Sequence, residues 1–240
     1  MTSVRVRRLG ALLAASTALA AAAAVGPGTP MAFADETIYG SGSSWSANAM
    51  DQWIADIASK GVPVQFNVSS SGQGRGDFAQ NQNDFANSDI PYQGTDPLTH
   101  AQDTNLGRAF AYMPIVAGGT ALMYHLQRGN DLIRNVRLSG QTIVKIFTGR
   151  ITSWDDPAIT ADMNGQALPA KKIQVVVESN GSGTTAQFTD WMTKQYPALW
   201  GSYEGVNPAV PTSYYPVNAS NITAQNGDAQ VAQTITSSGY

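Results

Sequence analysis

Apolar positions along this 240-residue chain alternate between a helical spacing and a strand spacing. Trp45, Ala49, Trp53, Ile54 and Ile57 recur every three or four residues, which predicts one face of a helix, and Lys60-Gly61 supplies its stop. Val62-Pro63-Val64-Gln65-Phe66-Asn67-Val68 then alternates as a strand with one buried face does. Residues 78–83 predict a short helix, and residues 84–91 a short strand that ends at Pro91. Residues 113–126 form an apolar, β-rich run broken by Gly118-Gly119. Ser139 predicts the N-cap of a helix over residues 140–147, with Gly149 at its end. Ile173-Gln174-Val175-Val176-Val177 predicts a buried strand. Residues 184–195 predict the helix after it, with Phe188, Trp191 and Met192 on the core face. Residues 203–226, rich in Pro, Asn, Ser and Thr, predict loop, and residues 228–236 a short helix. Strands alternating with helices predict an α/β protein with largely parallel sheets.

Such sheets hold ligands beyond the carboxyl ends of their strands. Three Ser/Gly runs fall at those positions: Gly40-Ser41-Gly42-Ser43-Ser44, residues 69–76, and Asn180-Gly181-Ser182-Gly183-Thr184-Thr185. Glycine lets a backbone come close to a ligand, hydroxyls donate hydrogen bonds, and the first amides of a helix have no partner within it. Together these are the parts of an oxyanion receptor. No Walker-type lysine follows Asn180-Gly181-Ser182-Gly183, so the loop is not a nucleotide P-loop. The two histidines, His100 and His125, have no metal-ligand spacing, and no serine-hydrolase elbow is present. Neither a metal, a cofactor nor catalysis is therefore expected. The carboxylates of Thr95-Asp96-Pro97 and Trp154-Asp155-Asp156-Pro157 read as turn and capping groups.

The chain begins with Arg5, Arg7 and Arg8, continues through an Ala-rich apolar stretch, and reaches Ala32-Phe33-Ala34 ahead of Asp35. That order predicts a secretory signal peptide over residues 1–34. A membrane anchor needs roughly 20 strongly apolar residues, and this stretch is mostly alanine interrupted by Ser16 and Thr17. Cleavage removes three arginines and no acid, so the net charge moves from −3 to −6. An acidic surface argues against nucleic acid as a partner, and an anionic ligand has to be drawn by local dipoles. The absence of cysteine leaves no lipid-attachment site, so the mature protein is expected outside the cytoplasm, secreted or at the cell surface.

The loops taken in order resemble the extracytoplasmic phosphate-binding proteins of ABC phosphate importers. Tyr39-Gly40-Ser41-Gly42-Ser43-Ser44-Trp45 looks like that family's first strand and loop, and Ser71 and Asp89 stand 18 positions apart as they do there. Gly118-Gly119-Thr120-Ala121-Leu122 resembles the crossing into the second lobe, and residues 143–159 are the longest similar stretch. The resemblance implies a two-lobed periplasmic-binding-protein-like clamshell of type II, with lobe 1 over residues 35–116 and lobe 2 over residues 117–240. It implies that Ser44, the amide of Trp45, Ser71 and Asp89 hold the anion from one lobe. Ser182, the amide of Gly183 and Thr184 would hold it from the other. Asp89 would accept a hydrogen bond from a protonated phosphate and repel fully ionised sulfate.

Two departures from the family pattern stand out. The family places an arginine four positions before the second-lobe serine, where this chain has Glu178. Arg75, in a Gly-Arg-Gly setting, is a candidate to do that arginine's work; the alternative is a solvated arginine paired with Glu178 or Asp77. The family's chain also continues past the equivalent of Gly239-Tyr240, which implies truncation at the C-terminus, an incomplete lobe 1 and an early end to lobe 2. The expected function is capture of inorganic phosphate by a monomer that delivers it to a membrane permease. The alternative is a secreted or surface clamshell that binds another ligand or serves adhesion.

Overall fold

In the computed structural model, residues 36–237 are described; the expected signal peptide lies outside them. Strand β1 (Ile38–Ser43) leads through a single 3-10 turn (Ser44–Ser46) into helix α1 (Ala47–Ala58), followed by β2 (Val64–Ser69), α2 (Ser71–Ala79) and β3 (Phe85–Asn87). The three strands form one parallel sheet in the order β2-β1-β3. Gly40 lies opposite both Phe66 and Phe85, whose rings stack with centroids 6.0 Å apart. A side chain at Gly40 would run into the Phe85 ring. The first Ser/Gly run is thus the strand itself rather than a loop, because its glycines make room for neighbours.

The second Ser/Gly run is likewise not a loop. The helix predicted at residues 78–83 instead spans Ser71–Ala79 and takes in Gly72, Gly74 and Gly76. Ser70 caps it, its hydroxyl accepting from the Gln73 amide at 3.1 Å. Glycine in a helix costs about 1 kcal/mol relative to alanine. Close approach offsets that cost here, since a Cβ at Gly74 would lie 2.5 Å from Gly42 Cα and 2.8 Å from Ser41 O. Helix α2 therefore lies directly on the β1 backbone. Helix α1 forms as predicted, but it buries only Met50, and Trp53 stays 43% exposed.

Two-residue antiparallel pairs follow, β4 (Gly94–Thr95) with β5 (Gln102–Asp103) and β6 (Gln127–Arg128) with β7 (Asp131–Leu132). The apolar run at residues 113–126 joins no strand ladder. It meets no partner strand among the described residues, and Met113, Ile115, Val116, Leu122 and Met123 remain exposed.

The rest comprises α3 (Gly140–Phe147), α4 (Pro157–Asp162), β8 (Val175–Glu178), α5 (Gly183–Gln195), α6 (Pro197–Glu204), β9 (Ile222–Gln225) and α7 (Asp228–Ser237). Ser139 caps α3 through the Thr142 amide, and Gly149 follows with φ 68°, as the residue types predict. Strands β8 and β9 pair in parallel, Val175 opposite Ile222 and Glu178 opposite Gln225. Both α6 and β9 fall where the sequence predicts loop or no element. Pro197 opens α6, and Gly205, at φ 79°, closes it. Around these elements Leu126, Val144, Ile159, Met192 and Trp200 form an almost fully buried core. The described residues belong to one compact unit.

Candidate functional site

Four chain segments converge where β1, β2, β3 and β8 end. The Ser43 hydroxyl donates to Asp89 Oδ1 at 2.6 Å and accepts from the Trp45 amide at 3.2 Å. Ser71, buried as the first residue of α2, accepts from the Asp89 amide at 3.2 Å. Asp89 is thus fixed through both its carboxylate and its backbone. Gly183, the first residue of α5, faces this pair: a Cβ there would lie 2.6 Å from Asp89 Oδ2 and closer still to Ser71 Oγ. The Gly72 amide donates to Gly181 O at 3.0 Å, and Gln187 Nε2 donates to Asp89 O at 3.2 Å. Ser182 caps α5 through the Thr185 amide at 3.2 Å. Its own amide donates to Ser213 O at 3.0 Å, which ties the loop to the core side.

A second cluster adjoins the first. Glu178 ends β8 and meets Asp228, the first residue of α7, together with the Ser182 hydroxyl. The Ser44 hydroxyl donates to Asp228 Oδ2. Burial is the main cause that pushes the Glu178 carboxyl up from 4.5 to about 7. Its hydrogen bond with Asp228 and the charges of Asp228 and Asp89 push the same way, while the Ser182 hydroxyl pulls back. Glu178 is therefore part-buried, with acids as its charged neighbours.

Of the residues expected in the site, Ser71, Asp89, Ser182 and Gly183 come together, with Thr184 next in the first turn of α5. Ser44 joins them through Asp228. The Trp45 amide is held by Ser43, and its ring is 42% exposed. Arg75 is placed elsewhere. Its guanidinium is buried against Asp103, with Nη2 2.7 Å from Oδ2 and Nε 2.9 Å from Oδ1, and Nη1 donates to Ser88 Oγ at 2.6 Å. Neither Glu178 nor Asp77 is its partner; Asp77 accepts from Ser41 and Gln73. The pairing expected from sequence is corrected for a simple reason: Asp103 on β5 offers a bidentate acceptor, and no local pattern announces it.

Sequence reasoning misses Ser43 and Asp228. Ser43 sits one position before the serine singled out, and strand alternation turns it toward Asp89. Asp228 follows Gly227 at a helix start, a common capping arrangement whose long-range partner is invisible in sequence. Elsewhere, a cavity of about 300 Å³ opens between Leu122, Tyr124, Val136, Phe147, Trp154 and Ile235. Its apolar lining suits an oxyanion poorly. The convergent loops combine hydroxyls, helix-end amides and one fixed carboxylate, which is the chemistry of a partly protonated tetrahedral anion.

Comparison with known proteins identifies the family. Phosphate-binding protein PstS 3 of Mycobacterium tuberculosis is 33% identical over 172 residues, covering 71% of this chain and 45% of its own length. Phosphate-binding protein PstS of Xylella fastidiosa is 33% identical over 174 residues, 72% of this chain and 45% of its own. The chain thus spans about half the length of the curated relatives it matches. A phosphate-binding protein from Stenotrophomonas maltophilia shares the fold with a TM-score of 0.62 at 21% identity, over 85% of this chain and 58% of that one. A putative phosphate ABC transporter substrate-binding protein from Clostridium perfringens, solved with bound phosphate, aligns at a TM-score of 0.52 and 18% identity, over 84% of this chain and 67% of that one. The domain profile of the PBP superfamily matches residues 27–239, and the chain belongs to that superfamily.

Proposed function

We propose that this chain captures inorganic phosphate outside the cytoplasm and delivers it to the membrane permease of an ABC importer, by binding and without catalysis. In this reading residues 35–116 and 117–240 act as two lobes, residues 1–34 direct export, and a monomer does the binding. The anion is held by Ser44, Ser71 and Asp89 on one side and by Ser182, Gly183 and Thr184 on the other, with Ser43 orienting Asp89. The observation that carries the reading is the meeting of Ser71, Asp89 and Gly183, drawn from three separate segments onto one point. The names of the relatives, which are phosphate-binding proteins, support it. No helix among the described residues is long and apolar enough to cross a membrane.

Calorimetric titration of the whole chain with phosphate, arsenate and sulfate tests the reading. Saturable binding of phosphate and arsenate without sulfate is expected, because both keep an O–H that donates a hydrogen bond to Asp89. Absence of phosphate binding overturns it. Two part-buried acids, Asp89 and Glu178, with the exposed Asp228 beside them, favour a second reading, a clamshell that takes a less charged ligand or serves adhesion. Phosphate binding in the same titration would remove it.

A further inference from the structure

We propose that Glu178 is the specificity-determining residue for the charge state of the bound anion: as a carboxylic acid it admits the singly charged, dihydrogen form of a tetrahedral oxyanion, and as a carboxylate it turns the ligand away. The inference rests on the phosphate reading and says which form of that ligand the site accepts.

Glu178 does not sit on the rim. It ends β8 with Gln225 of β9 opposite it, and it contacts the Ser182 hydroxyl that caps the anion-facing helix α5. The charged groups that act on it are Asp228 from α7 and Asp89 from the segment after β3, and both are acids. The guanidinium of Arg75 is committed to Asp103. With acids as its charged neighbours and part of its surface buried, the Glu178 carboxyl keeps its proton more readily than a solvated carboxyl does.

That proton links ligand and protein. With Glu178 ionised, a doubly charged anion at the Ser71–Gly183 loops meets the part-buried carboxylates of Glu178 and Asp89, where like charges repel more strongly than in bulk water, with the exposed Asp228 beside them. With Glu178 protonated, the acid donates toward Asp228, and one repulsive charge is gone. The dihydrogen anion also brings two O–H donors to a site rich in acceptors, whereas the dianion brings one and sulfate none. Both effects act in the same direction. Burial and the neighbouring acids hold the Glu178 proton up to about neutral pH, so the selection operates there.

The test is calorimetric titration of the whole chain with inorganic phosphate at about pH 5.5 and about pH 8, comparing wild type with E178Q. Phosphate's own ionisation affects both proteins equally, so the difference between them isolates the side chain. At about pH 5.5 the two are expected to agree within about threefold; at about pH 8 E178Q is expected to bind about tenfold more tightly. Identical profiles for the two proteins overturn the inference and leave the phosphate reading standing. No phosphate binding by either protein at any pH overturns both. D228N provides a second test if E178Q does not fold. Removing the facing charge lets Glu178 ionise more readily, so the steep part of the profile is expected to shift to lower pH. A profile that D228N leaves in place, or moves to higher pH, overturns the inference.

Discussion

Residues 126–222 and residues 36–110 are held together by different physics. The later region encloses a continuous apolar core, from Leu126 through Val144, Ile159, Met192 and Trp200 to Ile222. The earlier region buries only Met50, Ala79 and Ile90 among its apolar side chains, while Ser41, Ser46, Arg75, Asn83 and Asn87 are buried polar groups. Several of these are paired: Ser41 donates to Asp77 at 2.6 Å, Asn83 to Ser41 at 2.8 Å, and Asn87 to Ser46 at 2.8 Å. A glycine-lined strand lets helix α2 come down to backbone contact, and at that range little apolar area remains to bury. The lesson is about the site. One of its flanks stands on a packed core, and the other on hydrogen bonds whose net worth is about 1 kcal/mol each.

The largest effect that follows is on the core side. Trp200 is fully buried, donates from Nε1 to Val210 O at 2.9 Å, and packs against Tyr203 and Tyr215. Trp200→Ala is expected to cost about 3–5 kcal/mol, whereas Trp53→Ala, at an exposed ring, is expected to cost about 0.5 kcal/mol. Denaturant unfolding of the two variants measures the contrast, and equal losses would erase the distinction between the regions.

A smaller pair of effects separates two glycines of one helix. At Gly74 a Cβ would strike the β1 backbone, which cannot move aside as a side chain can. Gly74→Ala is therefore expected to destabilise by about 2 kcal/mol despite alanine's better helix propensity. At Gly76 the nearest atom is Gln80 Nε2 at 3.9 Å. Gly76→Ala is expected to stabilise by up to about 1 kcal/mol. Thermal melts of both variants give opposite signs if α2 truly rests on β1, and the same sign if it does not.

These glycines also show what was legible in the sequence. The runs at residues 40–44 and 69–76 are readable as places where the backbone comes close to something, and sequence alone suggests a ligand. Much of it is the protein's own chain: Phe85 over Gly40, Gly42 under Gly74, and Gly181 beside Gly72. The sequence places helix α2 too late because three glycines argue locally against a helix, and the sheet contact that justifies them is tertiary. The capping serine Ser139 is legible because its partner lies three residues ahead. The partners of Arg75 and Ser44, Asp103 and Asp228, lie 28 and 184 residues away. No period or spacing encodes contacts of that range.

The smallest expected effect lies at the seam between the two regions, where the charge of Asp89 on the polar side acts on Glu178 of the core side. The folded protein raises the Glu178 carboxyl from 4.5 to about 7, so the native state holds a proton that the unfolded chain releases earlier. Its contribution to stability is fully present below the unfolded value and is lost as pH rises through about 7. The side chain is only part-buried, and solvent screening reduces the effect to the order of 1–2 kcal/mol. Glu178→Gln keeps the shape and cannot ionise. Urea unfolding of the two proteins from about pH 4.5 to about pH 8 is expected to show wild type falling behind the variant across that window. A gap that stays constant with pH would mean that Glu178 faces water rather than the acids, and the seam would then carry no more charge strain than either region it joins.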